Sequence, residues 1–434
     1  MDRSALPPDA ERAIDTIQQT DIVIGIPSFN NARTIGHVVK ACYAGLSKYY
    51  PQLSAVVINS DGGSTDGTHE AVLSATVEEN SLMLLSTPLF PLQRLSLPYH
   101  GVPGKGSAFR MVFEMARRLG ARACAVVDSD LRSITPEWID LLLRPILFAK
   151  YDFVAPYYHR HKYDGTITNS IVYPLTRTLY GLQVRQPIGG DFGISSDLLQ
   201  CYLRKDVWET DVARFGIDIW MTTVAIAERF RVCQSFLGAK LHDAKDPGAD
   251  LSEMLQQVVS SVFSLMEEYE SVWQQQTRSE PVPLFGFHFD VGLDPIRVDT
   301  DRMIREFRRG AAELEELWKV ALRPDTLAAL RKLACSACAE EAFHIHDALW
   351  TKAILEFSCA HRNHPHLRRQ LLRSLAPLYL GRVASFVKET ENLASHEVEN
   401  RIEQLCLSFE RFKPYLVSLW RGKDPSNPLD AGNV

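Results

Sequence analysis

Residues 104–130, GKGSAFRMVFEMARRLGARACAVVDSD, place an amphipathic helical stretch (104–120) directly before an apolar strand (123–130) that ends on two aspartates. Helix, then strand, then a polar turn at the strand's end is the repeating unit of an α/β sheet. The pattern extends in both directions. Upstream, DIVIGIPSFN (21–30) is an apolar run closing on a Pro-Ser-Phe-Asn turn. In TIGHVVKACYAGLSK (34–48), Ile35, Val38, Val39, Cys42 and Leu46 share one helical face behind Thr34 as N-cap. SAVVINS (54–60) is the next strand, followed by the glycine-rich turn DGGSTDGT (61–68) and a helix from His69. Downstream, DFVAPYY, QPIGGDFGI and IDIWMTTVAIAERF add short strands and a helix. The alternation predicts a mostly parallel sheet flanked by helices. Residues 84–104, LLSTPLFPLQRLSLPYHGVPG, carry four prolines and little period. They predict a surface loop or lid beside the carboxyl ends of the strands.

At about 150 residues per domain, 434 residues make two to three domains. The 46% apolar and 23% charged shares are those of a globular chain and exclude wholesale disorder. Forty-seven basic against 53 acidic residues give a net charge of −6, without the positive excess that favours nucleic acid or anionic membranes. No apolar run approaches bilayer-spanning length, and the opening MDRSALPPDAERAIDTIQQT has neither an apolar signal core nor a cleavage site. A cytoplasmic protein is expected, with its eight dilute cysteines reduced. From about residue 250 onward the apolar spacing becomes helical, as in LSEMLQQVVSSVFSLMEEYESVWQQ. The expected division is an N-terminal extension (1–20), an α/β domain (21–265), a C-terminal all-α segment (266–424) and a frayed tail (425–434). CSACAEEAFHIHDALW reads as one continuous helix, which makes Cys335 and Cys338 packing residues rather than zinc ligands. The dispersed Trp138, Trp208, Trp220, Trp318 and Trp350 read as core.

The chemistry gathers at the strand ends. Asp128 and Asp130, one residue apart, offer hard oxygen ligands to a divalent cation in the crevice where open α/β sheets bind ligands. D-x-D alone is a weak signal, because any strand that ends in a polar turn can carry it. PSFNN (27–31) and DGGSTDG (61–67) also end strands and present N–H groups and short polar side chains to a base and ribose. Pro103-Gly104-Lys105-Gly106 opens a helix whose free N–H groups and lysine suit a diphosphate.

The order IPSFNNARTIG, DGGSTDGT, PGKGSA, VVDSD resembles a GT-A glycosyltransferase. RHKYDGTIT (160–168), QPIGGD (186–191), FGID (215–218) and GAKLHDAKDPGADL (238–251) narrow the resemblance to the retaining glycerate glycosyltransferases. These are the mannosylglycerate synthases and the glucosyl-3-phosphoglycerate synthases. The resemblance implies a GT-A fold in the α/β part and a metal (Mg²⁺, Mn²⁺ or Co²⁺) held by Asp130 and His242, with Asp128 beside it. It implies a nucleotide site of Pro27, Ser28, Asn30, Asp61, Lys105 and Asp128, and donor-sugar contacts from Gly189, Gly190, Asp191 and Asp218. Asp191 stands where the family has Glu. Asp130, Lys105, Asp218 and Asp191 form the implied catalytic set, and Arg160, Asp164, Gly165, Thr166 and Thr168 the implied grip on the acceptor.

The phosphoglycerate enzymes carry an arginine in that loop where this chain has Thr166, which points to D-glycerate over 3-phosphoglycerate. His159, His161 and Lys162 keep the phosphorylated acceptor open. Asp61 suits a uracil or a guanine, so UDP- and GDP-hexose, and glucose and mannose, stay open. No residue stands out as a nucleophile, in keeping with the family's retaining, front-face transfer. A homodimer is expected, because helices with apolar stripes must pack somewhere. The rival class is a helical scaffold protein with a degenerate transferase domain, against which Lys105, Asp128, Asp130 and His242 speak together.

Overall fold

In a computed structural model, the apolar run 22–28 is buried along its whole length and forms a central strand. Residues 6–75, 92–99, 101–241, 252–288, 298–335 and 343–423 are described. They fall into two compact units, one within Met1–Arg160, Val184–Ala244 and Val282–Gly292, the other within His161–Gln183, Lys245–Pro281 and Leu293–Val434.

The first unit is the α/β part. Its strands are β1 (Ile22–Ser28), β2 (Ala55–Asp61), β3 (Leu92–Pro98), β4 (Ala123–Val126), β5 (Phe153–His159), β6 (Phe192–Ser195), β7 (Val232–Ala239) and β8 (Leu284–Phe285). They lie in the order β8-β7-β5-β6-β4-β1-β2-β3. All neighbours are parallel except β6, which runs antiparallel to both β4 and β5. The helices are α1 (Pro8–Ile17), α2 (Ile35–Tyr49), α3 (Thr68–Ser74), α4 (Lys105–Arg118), α5 (Pro136–Ala149), α6 (Ser196–Arg204) and α7 (Ile217–Ala227). One apolar core joins Ile24 and Ile26 of β1 to Val38, Val39 and Leu46 of α2 and Ile139, Leu142 and Leu143 of α5. The mostly parallel sheet with flanking helices, and the helical segment that follows it, are the architecture the strand-helix alternation predicts.

Three expectations give way to a different structure. Within the proline-rich stretch 84–104, Leu92–Pro98 is an edge strand in register with β2. An edge tolerates proline, since one row of its N–H groups has no partner strand. Arg94 fastens this strand by donating to the carbonyls of Val72, Leu73 and Ala75 at the end of α3. Residues 84–91 and His100 lie outside the described residues. Thr34 does sit at the N-cap of α2 but makes no capping bond. Its hydroxyl donates instead to the Ser129 carbonyl at 2.8 Å, tying the helix start to the D-S-D turn.

The second unit is helical, and the stretch expected to be one helix through CSACAEEAFHIHDALW is broken. One helix runs Pro324–Cys335, another starts at Asp347, and residues 343–346 just before it are not helical, with His346 extended. Phe343 and Ile345 are buried while His344 and His346 alternate with them, a period of two. The Ile345 N–H donates to Ser385 Oγ and its carbonyl accepts from Arg382, so backbone groups freed from the helix are satisfied. Cys338 lies outside the described residues. The five tryptophans read as core are all buried.

The units also divide the chain elsewhere than at 265. The helix Ser252–Glu268 runs through that position and belongs to the helical unit. Residues 161–183 belong there too, because Arg177 pairs with Glu403 and Glu410, and Trp350 Nε1 donates to the Ser170 carbonyl at 2.7 Å.

Candidate functional site

The carboxyl ends of β1, β2, β4, β5 and β7 share one edge of the sheet, and the reversed β6 brings its first residues to that same edge. Residues that leave the other strands therefore meet residues that enter β6. This puts Ser28 and Asp61 on the same edge as Gly189, Gly190 and Asp191, and Asp128, Tyr158 and Lys240 in contact with them.

At the first two strand ends, the Ser28 hydroxyl lies 2.7 Å from Asn59 Oδ1 and 2.9 Å from Asp61 Oδ2. Asp61 folds its own turn: Oδ1 accepts from the Gly63 and Ser64 N–H groups at 2.8 and 2.7 Å, and Oδ2 from the Ser64 hydroxyl. Asn30, left-handed at φ 55°, bridges to this turn by donating its N–H to Ser64 Oγ and accepting from the Thr65 N–H. Pro27 is buried in β1, and Phe29 beside it is 62% exposed. The PSFNN and DGGSTDG turns are thus one hydrogen-bonded surface.

The PGKG turn differs from its expectation. The Gly104 N–H already donates to the Tyr99 hydroxyl and the Gly106 N–H to the Arg214 carbonyl, so these two are not free. A β-carbon on Gly106 would stand 2.1 Å from the Val212 carbonyl, so this position has room for hydrogen alone. The lysine reaches the site. Lys105 Nζ donates to Asp128 Oδ1 at 2.7 Å and to Asp218 Oδ2 at 3.3 Å, and lies 3.5 Å from the Gly190 carbonyl. Asp218 enters from the first turn of α7.

Two residues to which the sequence analysis gives no role complete the cluster. Lys240, 5% exposed at the end of β7, donates to Asp128 Oδ2 at 2.7 Å, to the Gly189 carbonyl at 2.7 Å and to Asp191 Oδ2 at 2.8 Å. Tyr158 donates its hydroxyl to the same Asp191 oxygen. Asp191 is fully buried, and its Oδ1 accepts the Asp128 N–H at 2.8 Å.

Three carboxylates and two ammonium groups share this space. Burial pulls the Lys105 ammonium down, but Asp128 and Asp218 outweigh it and leave its pKa raised. Lys240 is raised in the same way, with Asp128 and Asp191 as its counter-ions. Burial raises the Asp128 carboxyl, but the charges of Lys105 and Lys240 hold it well below the usual range. Asp191 and Asp218 are pushed up, first by burial and then by the negative charge of Asp128, which their lysines do not fully cancel. Paired ammonium groups surrounded by carboxylates of unequal pKa are typical of a functional cleft.

No family model matches the chain. A sequence relative does. Glucosyl-3-phosphoglycerate synthase of Petrotoga mobilis is 24% identical over 267 residues, covering 58% of this chain and 75% of that one. The chain is similar to a glucosyl-3-phosphoglycerate synthase. Among solved structures, a complex of the Mycobacterium tuberculosis glucosyl-3-phosphoglycerate synthase with Mn²⁺, UDP and glucosyl-3-phosphoglycerate matches at 20% identity and a TM-score of 0.41, covering 59% of this chain and 82% of that one. The same enzyme with Mg²⁺ and UDP matches at 19% identity and a TM-score of 0.41, covering 59% and 83%.

The remaining sequence-derived positions are less concentrated. Asp130 sits on the D-S-D turn, half-buried. His242 lies outside the described residues, and among those described no group of three or more His, Cys, Asp or Glu is placed to hold a metal. Both Asp128 oxygens are taken by lysines, so Asp130 is the carboxylate of the turn that is left for a cation. A hard carboxylate oxygen there fits Mg²⁺ or Mn²⁺ chemistry. Arg160 closes a segment of the α/β unit, its guanidinium 5.6 Å from the Tyr158 ring centroid. Asp164, Gly165, Thr166 and Thr168 belong to the helical unit. Thr166 and Thr168 are buried there, and the Thr166 hydroxyl lies 2.6 Å from that of Tyr379.

Proposed function

We propose that this chain is a nucleotide-sugar-dependent hexosyltransferase that moves glucose or mannose from UDP- or GDP-hexose to D-glycerate with retention of anomeric configuration. The observation that carries the reading is Lys105 held between Asp128 and Asp218. An ammonium whose counter-ions come from the D-x-D turn and from the FGID helix is placed to take a diphosphate oxygen on one side, with a sugar-facing carboxylate on the other. Asp218 supports this: Lys105 Nζ lies 3.2 Å from its Oδ1 and 3.3 Å from its Oδ2, and a carboxylate with one such cation keeps lone pairs for a hydroxyl donor such as a hexose carries.

A divalent cation held by Asp130 and His242 would supply countercharge to the leaving nucleoside diphosphate. The chain's own share is to bind and orient. Lys105 screens the diphosphate, Asp218 holds the sugar, and the Ser28, Asn30 and Asp61 surface receives the nucleoside. With the donor and acceptor hydroxyl held on one face, the leaving phosphate oxygen takes the acceptor proton, and no protein nucleophile is needed.

The relatives' names favour 3-phosphoglycerate as a second acceptor. Lys162 argues for the unphosphorylated one, because its Nζ donates to the carbonyls of Thr390, Glu391 and Leu393 and is spent within the helical unit. No described helix is long and apolar enough to cross a membrane. A cytoplasmic setting and a homodimer are part of the proposal.

The test is a thermal-shift panel of UDP, GDP and their glucose and mannose forms, with and without Mn²⁺, followed by turnover with glycerate and with 3-phosphoglycerate. A ligand at 100 times its Kd adds about 2.7 kcal/mol of stability. Absence of stabilisation by every nucleotide with Mn²⁺ would sink the reading.

A further inference from the structure

Asp128, Asp191 and Lys240 form a closed hydrogen-bonded ring. Lys240 Nζ donates to Asp128 Oδ2 and to Asp191 Oδ2, and Asp191 Oδ1 accepts the N–H of Asp128 itself. Asp128 is therefore gripped at its side chain and its backbone by one pair of residues. The ring is anchored from outside by the Tyr158 hydroxyl on Asp191 and by the Gly189 carbonyl under Lys240. Asp191 is fully buried, and both its oxygens are engaged by protein donors. Lys240 is 5% exposed and spends three donors on protein acceptors. Lys105, by contrast, reaches the opposite Asp128 oxygen and both oxygens of Asp218, at 3.2 and 3.3 Å.

We infer that Lys240 and Asp191 are a positioning pair, which acts on the donor through Asp128 and touches neither sugar nor phosphate. Of the two carboxylates in the donor-sugar set, Asp218 is then the one left to meet the sugar, and the shorter Asp at 191, where the resembling family has Glu, is what lets the ring close on the backbone of the D-S-D turn. This assignment rests on the transferase reading. It differs from that reading's expectation for Asp191, which the resemblance places against the donor sugar.

UDP separates the two roles because it has no hexose. A residue that touches only the sugar leaves UDP affinity unchanged when it is altered, whereas one that sets Asp128 weakens UDP itself. Calorimetry of UDP and GDP binding with Mn²⁺ on the full chain is compared for wild type, Lys240→Met, Asp191→Asn and the double variant. The positioning role predicts that each single change weakens nucleoside diphosphate binding about 10- to 100-fold, as loss of groups behind a binding residue does. The double variant should be no weaker than the worse single one, because both act through one ring. The KM for glycerate should stay within about twofold of wild type. Wild-type nucleotide affinity in Lys240→Met or Asp191→Asn, or effects that multiply in the double variant, would overturn the inference. If Lys240→Met does not fold, the isosteric Asp191→Asn decides. If wild type itself binds neither nucleotide with Mn²⁺, the transferase reading falls and the inference with it.

Discussion

A β-carbon placed on Gly190 would stand 2.1 Å from Asp128 Oδ2. The residue is also left-handed, at φ 91°. The turn into β6 can approach the D-S-D carboxylate this closely because nothing projects from it. Gly190→Ala is expected to destabilise the α/β unit by about 1–3 kcal/mol through overpacking, with a further ~1–2 kcal/mol for the left-handed backbone. Urea unfolding measures the sum. A variant as stable as wild type would mean that Asp128 moves freely.

The acids of the cluster have opposite pH signatures. The Asp218 carboxyl is held above its ordinary range by burial and by the charge of Asp128. Between the unfolded value of about 3.9 and that raised value, the folded chain binds more protons than the unfolded one. Its contribution to stability therefore falls as pH rises through the window. Asp218→Asn removes this cost, so the variant should be more stable than wild type near neutral pH, with the advantage shrinking as pH falls towards the ordinary carboxylate range. Its transferase activity should be lost throughout. Asp128, held below its ordinary range, has the reverse sign: its stabilisation is present above about 3.9 and is lost as pH falls below it. Melting temperatures of both Asn variants from pH 3 to 8 check the two signs.

Ser28 lies between Asn59 and Asp61 on the surface proposed to receive the nucleoside. The single Ser28 hydroxyl proton serves either Asn59 Oδ1 or Asp61 Oδ2, so Ser28→Ala removes one donor from the pair, a loss of about 1–3 kcal/mol for a buried site. UDP or GDP binding should weaken alongside. Unchanged nucleotide affinity in a destabilised variant would separate this turn from the ligand.

Asp130 and His242 are expected to act together on the cation. Alanine at either position should abolish Mn²⁺-dependent transfer with the far-ultraviolet circular dichroism unchanged, and a chelator should reduce wild type to the same level. Full activity in Asp130→Ala would remove the metal from the proposal.

Much of the α/β unit is legible in the sequence, because most of its buried strands are short apolar runs that stop at a polar residue. Lys105, Asp128 and Asp218 come together, since all three lie at strand or helix ends on one sheet edge. Lys240 and Tyr158 are not legible. A lysine after an apolar run reads as a solvated strand end, and nothing local shows that two aspartates, one of them 112 positions away, bury it. The edge strand Leu92–Pro98 is hidden by its prolines, and the break at 343–346 by a helical composition that masks a period of two. Both depend on partners distant in sequence: β2 for the first, the Arg382 and Ser385 side chains for the second.

The four-residue strand β6 has a kinetic consequence. Among the described residues it is the sole link in the sheet between the half built from β1 to β4 and the half built from β5, β7 and β8. Until Phe192–Ser195 inserts, each half has an open inner edge and Asp191 has no partner in Asp128. Loop closure over a separation of 63 residues comes before that contact. Nucleotide affinity should therefore emerge late in refolding, after most strand pairing is complete, which makes ligand binding a clock for the last step of sheet assembly.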